Sequence, residues 1–159
     1  MKAAILMGSK ADLEHSAKIA EALRGLGVEA ILRVSSAHKT PERLLEIVRE
    51  LEEEVGVFIT VAGRSNALSG LVDAHTHRPV IACPPPSNRF AGADLFSSLR
   101  MPSGVCPLVV LEPEAAALAA AKILALGDEG LKERVRHQQR QKREEVERAD
   151  EEVRGWRSD

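Results

Sequence analysis

His38 and Lys39 stand side by side in SSAHKTP, residues 35–41, between the apolar run VEAILRV and the patterned run PERLLEIVRELEEE. A histidine can take and return a proton near neutrality, and a lysine ammonium can neutralise a phosphate or carboxylate. The same residues also make an ordinary polar turn in which Thr40 caps a helix and Pro41 fills its first position. Three further stretches are rich in donors. Gly8-Ser9-Lys10-Ala11-Asp12 is neither a Walker loop nor a G-x-G-x-x-G fingerprint, but it leads into a helix start that suits a phosphate, or serves as a plain capping turn. Gly63-Arg64-Ser65-Asn66 offers hydroxyl, amide and backbone donors suited to a small anion such as a carboxylate, or is a turn with no ligand. The stretch 84–104, PPPSNRFAGADLFSSLRMPSG, reads as a lid, a partner-supplied wall over a pocket, or a packed connection. No His/Asp/Glu set shows metal-ligand spacing, so neither a metal nor another cofactor is expected.

These loops gain meaning from the elements that carry them. Short apolar runs at 3–7, 28–34, 57–62, 79–83 and 107–112 alternate with helical patterns at 12–26, 41–54, 67–76, 92–100 and 113–126. Five strands with interleaved helices predict a parallel sheet covered on both faces, and runs this apolar favour it over a half-exposed antiparallel sheet. Right-handed crossovers then give an α/β fold, a three-layer α/β/α doubly wound sheet of flavodoxin-like order 2-1-3-4-5. Ligands of such sheets bind beyond the carboxyl ends of the strands, where all four loops fall. His38 is the only histidine at a predicted strand end on that side. His15, His75, His77 and His137 lie within or at the ends of helical patterns and read as surface residues. Gly25 and Gly27 end the first helix.

The 159 residues fit one compact α/β domain, 1–127, followed by a helical extension, 128–159. In the extension, residues 131–159 hold 9 Lys/Arg and 8 Asp/Glu with sparse apolar points and Trp156, predicting one or two exposed helices. They form a solvated face or reach onto a neighbouring subunit, because an aromatic side chain is costly to leave in water. A net charge of −2 from 22 basic and 24 acidic residues gives no global field for nucleic acid or an anionic membrane, and 3% aromatics leave no stacking surface. MKAAILMGSKAD is too short in its apolar part for a secretory leader or a membrane span, which predicts a cytoplasmic protein. Cys83 and Cys106 are far apart and read as two buried free thiols.

Taken together and in order, MGSKAD, SSAHKTP, AGRSNALSG and ACPPPSNRFAGADLFSSLRMPSG resemble the phosphoribosylaminoimidazole carboxylase family of purine biosynthesis, from about residue 3 to residue 126. The family has two classes. One moves a carboxylate from the N5-carboxyamino compound to C4 of the imidazole; the other adds CO2 directly to 5-aminoimidazole ribonucleotide (AIR), giving 4-carboxy-5-aminoimidazole ribonucleotide (CAIR). The mutases usually carry Arg after the loop-two histidine, a longer third loop with its own histidine, and Arg where this chain has Ser103. Lys39 and the histidine-free AGRSNALSG therefore resemble the direct carboxylases. Ala11 departs from the family's usual Gly-Ser-x-Ser-Asp, removing one hydroxyl near the phosphate.

The resemblance implies His38 as the general acid/base, Ser9 and Lys39 on the phosphate, Asp12 on the ribose hydroxyls, and Ser36 near the ring. Gly63, Ser65 and Asn66 would supply donors to the carboxylate. Its implied partners are the small molecules AIR and CO2 together with further copies of the chain, as an octamer or, in some direct carboxylases, a tetramer.

Overall fold

A computed structural model describes residues 1–156. The strands are β1 (Lys2–Met7), β2 (Glu29–Val34), β3 (Val57–Val61), β4 (Val80–Ala82) and β5 (Leu108–Val109), and all pair in parallel in the order β2-β1-β3-β4-β5. The helices are α1 (Leu13–Gly25), α2 (Pro41–Leu51), α3 (Ala67–Asp73), α4 (Pro113–Leu124) and α5 (Glu129–Arg154). This is the expected doubly wound α/β sheet.

Periodicity explains how each layer closes. On α2 the buried residues are Leu44, Ile47, Val48 and Leu51, an i, i+3, i+4, i+7 stripe. They pack with Ala4, Leu6, Phe58, Leu68 and Val72 into the core on one sheet face. On the other face Ile19 and Leu23 of α1 meet Ala116, Ala117, Ala120 and Ala121 of α4 over Ile5, Met7 and Ile59. Small alanines let these two helices approach each other and the sheet closely. Gly27, at φ 74°, turns the chain out of α1, with its N–H on Arg24 O and the Val28 N–H on Leu23 O.

Three expectations are corrected. The second strand is half-exposed, unlike the fully buried β3, because β2 is a sheet edge and pairs on one side only. The predicted helix at 92–100 is instead the larger part of a 3-10 segment, Arg89–Ser98, kinked near its start by left-handed backbone at Phe90, Ala91 and Gly92. A continuous α-helix excludes such dihedrals. Finally, Cys106 is exposed; Cys83 alone is buried.

The polar C-terminal pattern forms one helix. Its first turns pack through buried Leu131 and Val135, and Arg134 donates from Nε to Leu26 O at 2.8 Å, capping the end of α1. Beyond them α5 leaves the body, and Val146, Val153 and Trp156 are exposed. Residues 157–159 of the predicted extension lie outside the described residues.

Candidate active site

The carboxyl ends of β1, β2 and β3 are tied edge to edge. Gly8 N–H donates to Val61 O at 2.9 Å and Ser35 N–H to Met7 O at 3.0 Å, so the loops that follow emerge side by side. Between them and the 84–89 segment lies a cleft of about 490 Å³. Ser9, Asp12, Ser36, His38, Lys39, Gly63 and Ser65 all line it. The eighth sequence-predicted residue, Asn66, does not.

The first loop is a capping box. Ser9 Oγ accepts from Ala11 N–H at 3.2 Å, while Asp12 Oδ2 accepts from Ser9 N–H at 3.0 Å and from Ser9 Oγ at 3.1 Å. The donors at this helix start are therefore partly satisfied within the loop. Ala11 faces the cleft at the position where the fourth residue of the motif would carry a hydroxyl.

In the second loop Thr40 occupies the N-cap position of α2 but makes no capping bond, which corrects the capping role expected of it. Its hydroxyl turns back to the loop, accepting from Ser36 N–H at 3.0 Å and lying 3.0 Å from Ser35 Oγ. Pro41, which has no N–H to satisfy, begins the helix as expected. His38 and Lys39 are exposed at the cleft rim.

The third loop is held from behind. Ser65 adopts φ 44°, a left-handed conformation that costs a non-glycine residue free energy and is retained only where its surroundings hold it. Asn66 is buried, its Oδ1 accepting from Ser69 N–H at 3.2 Å and Ser69 Oγ at 2.8 Å, while its Nδ2 donates to Ser98 Oγ at 2.8 Å. The Asn66 N–H donates to Ser97 Oγ at 2.9 Å. Its side-chain amide thus braces the loop against the 3-10 segment. Gly63 abuts the proline run so closely that a Cβ would stand 3.2 Å from Pro85 Cγ.

Three features escaped the sequence reading. Arg64 and Arg89 also line the cleft, so with Lys39 it holds three cations against the one carboxylate of Asp12. Among the described residues no ion pair engages any of the three. Such a lining attracts an anion. A second cavity of about 550 Å³ adjoins across Gly63 and Pro84–Ser87 and contains His15. That histidine, expected at the surface, is half-buried, with Nε2 3.4 Å from Cys83 Sγ. Helical periodicity alone had no means to show that α1 leans on the end of β4 here. Among the described residues no group of three or more His, Cys, Asp or Glu is placed to hold a metal ion, and no helix is long and apolar enough to cross a membrane.

A family model described as AIR carboxylase matches residues 2–145. The phosphoribosylaminoimidazole carboxylase of Archaeoglobus fulgidus is 62% identical over 97% of this chain and 86% of its own length. That of Treponema denticola is 52% identical, over 83% and 84% respectively. The crystal structure of Treponema denticola PurE matches with a TM-score of 0.92 at 45% identity, covering 96% of this chain and 98% of that one.

Proposed function

Because the chain belongs to the AIR carboxylase family, enzymes of purine biosynthesis, we propose that it adds CO2 directly to C4 of AIR, reversibly and without ATP, to give CAIR. The observation that carries this is the single cleft gathering His38, Lys39 and the anion-binding loops at the ends of β1, β2 and β3. Lys39 and the histidine-free third loop favour CO2 over the N5-carboxyamino donor.

The phosphate lies against Lys39 and the first loop, with Arg64 and Arg89 adding to the positive lining. Ser9 exchanges its bond to Asp12 Oδ2 for a phosphate oxygen, which leaves the Asp12 carboxylate to accept from the ribose hydroxyls. Ser36 sits near the ring. C4 of the aminoimidazole is enamine-like: its electron pair forms the new bond to CO2 carbon, and one C–O π pair becomes the carboxylate charge. The enzyme's chief task is then to hold two reactants in line. Gly63, Ser65 and the loop braced by Asn66 present donors to the developing anion. Neutral His38 removes the C4 proton from the tetrahedral intermediate and restores aromaticity; in reverse the imidazolium protonates C4 and CO2 leaves. These groups sit on the unit of residues 1–127. The chain functions in the cytoplasm as a homo-oligomer, octamer or tetramer, with 128–159 packing on the same or a neighbouring subunit.

The test is CAIR formation from AIR and bicarbonate or CO2 with no ATP, run beside the N5-carboxyamino substrate. Efficient turnover of AIR is expected. Efficient use of the N5-carboxyamino compound alone would assign the mutase reaction instead.

A further inference from the structure

His38 and Lys39 bring the reactive charge to the cleft, yet among the described residues no hydrogen bond holds either side chain. Their direction is set by the backbone of the loop from Ser35 to Thr40. That backbone is closed by an unusual set of bonds. Thr40 N–H donates to Ser36 O at 2.9 Å, forming one turn. The Ser35 hydroxyl donates to Thr40 O at 3.2 Å, and its lone pair faces the Thr40 hydroxyl at 3.0 Å. Thr40 Oγ1 accepts from Ser36 N–H at 3.0 Å and lies 3.3 Å from Ser36 O, while Lys39 N–H donates to Ser36 Oγ at 3.3 Å.

Two hydroxyl protons serve three contacts: with Ser35 donating to Thr40 O, the Thr40 proton goes either to Ser35 Oγ or to Ser36 O. Ser35 is buried and its two bonds to exposed Thr40 are half-buried, whereas the bonds at Ser36 and Lys39 N–H are exposed. Thr40 spends its hydroxyl here although it stands where a side chain ordinarily caps a helix, a role commonly filled by threonine. A residue that served only to start α2 would make the capping bond.

We propose that Thr40, with Ser35 beneath it, is a positioning residue that fixes the turn presenting His38 for proton transfer. This rests on His38 being the acid/base of the reaction. Without the Thr40 hydroxyl the Ser36 N–H and the Ser35 hydroxyl lose their contacts to it, and the turn, still closed by Thr40 N–H to Ser36 O, loosens. The imidazole then samples directions from which it no longer reaches C4, and a misplacement of about 1 Å costs on the order of 100-fold in rate. Nucleotide affinity also draws on the first loop and on Arg64 and Arg89, so it suffers less.

The experiment compares Thr40→Val, Thr40→Ser, Ser35→Ala and His38→Asn by steady-state kinetics, circular dichroism and the His38 ring Cε1–H resonance with and without AIR. Thr40→Val is expected to lower kcat by about 30- to 100-fold with KM for AIR changed less than about threefold. Thr40→Ser restores most of kcat, and Ser35→Ala falls between. The resonance shifts on AIR binding in Thr40→Ser but responds weakly in Thr40→Val. Wild-type kcat in folded Thr40→Val overturns the proposal, as does a Thr40→Ser variant no better than Thr40→Val. If Thr40→Val does not fold, Ser35→Ala decides: unchanged kcat and an unchanged ring response reject the role. Full turnover by His38→Asn would instead reject the acid/base assignment itself.

Discussion

His15 Nε2 lies 3.4 Å from Cys83 Sγ, joining the start of α1 to the end of β4. Burial, with Lys18 nearby, holds the imidazole below its ordinary pKa of 6.5. Between that depressed value and 6.5 the unfolded chain carries a proton that the folded chain does not, so stability rises with pH. The contribution is complete above about 6.5 and is lost as pH falls through the folded value. Urea midpoints should therefore drop from pH 7.5 to about 5.5, and His15→Gln should flatten that drop. Glu50 and Glu52 titrate below the usual carboxylate range and stay out of this window. An equal drop in both proteins would dismiss His15 as the cause.

The two thiols should behave differently. Burial, followed by the nearby Glu112 and Glu114 charges, pushes Cys83 up to about 12, so it carries almost no thiolate at neutral pH. Cys106 is exposed. Iodoacetamide on the native protein should modify Cys106 and spare Cys83 until urea is added, as read by peptide mass spectrometry. Labelling of Cys83 in the folded chain would contradict its enclosure.

His38→Asn and Lys39→Ala should fail in different ways. Loss of the proposed acid/base should lower kcat by about 100-fold or more while AIR still binds. Loss of the proposed phosphate cation should raise KM by roughly tenfold and leave kcat within about threefold. Initial rates across AIR concentration separate the two, and an unchanged KM in Lys39→Ala would argue against phosphate contact.

Ala11→Ser would put a hydroxyl at a cleft-lining position next to Ser9. One added hydrogen bond to a phosphate is worth about 1 kcal/mol, so KM for AIR should fall roughly fivefold. A neutral or weaker result would place the phosphate elsewhere along the loop.

Asn66→Ala should act first on stability. It removes the acceptor for Ser69 N–H and Oγ and the donor to Ser98, all buried, at a cost of about 2–3 kcal/mol in a urea titration. A normal midpoint with raised KM would return Asn66 to direct substrate contact.

The strand order was legible because strand and helix periods are local patterns, and the loops follow from it; which of their residues to single out came from the family resemblance. Residues on four loops converge once the sheet is parallel, whatever their contacts. The misses have a common cause. Thr40, Asn66 and His15 each carry a side chain whose partner is a choice among several: Thr40 bonds to its loop rather than its helix, Asn66 to Ser69 and Ser98, and His15 to Cys83. Sequence spacing names the residue and leaves its partner open. The stretch 92–100 misleads for another reason, since its residue types do not distinguish a 3-10 from an α-helix, nor do Phe90 and Ala91 signal left-handed backbone.

The cleft lies across the seam between the two cores. Ser9 and Asp12 lead into α1, whose core lies on one sheet face, whereas His38 and Lys39 lead into α2 on the other. A nucleotide gripped by both loops would act as a cross-brace between the layers on the two faces of the sheet. By mass action, occupancy at 100 times Kd would add about 2.7 kcal/mol against unfolding of the whole chain. The heat capacity signal of unfolding would then move as one transition with ligand, and neither layer could melt ahead of the other.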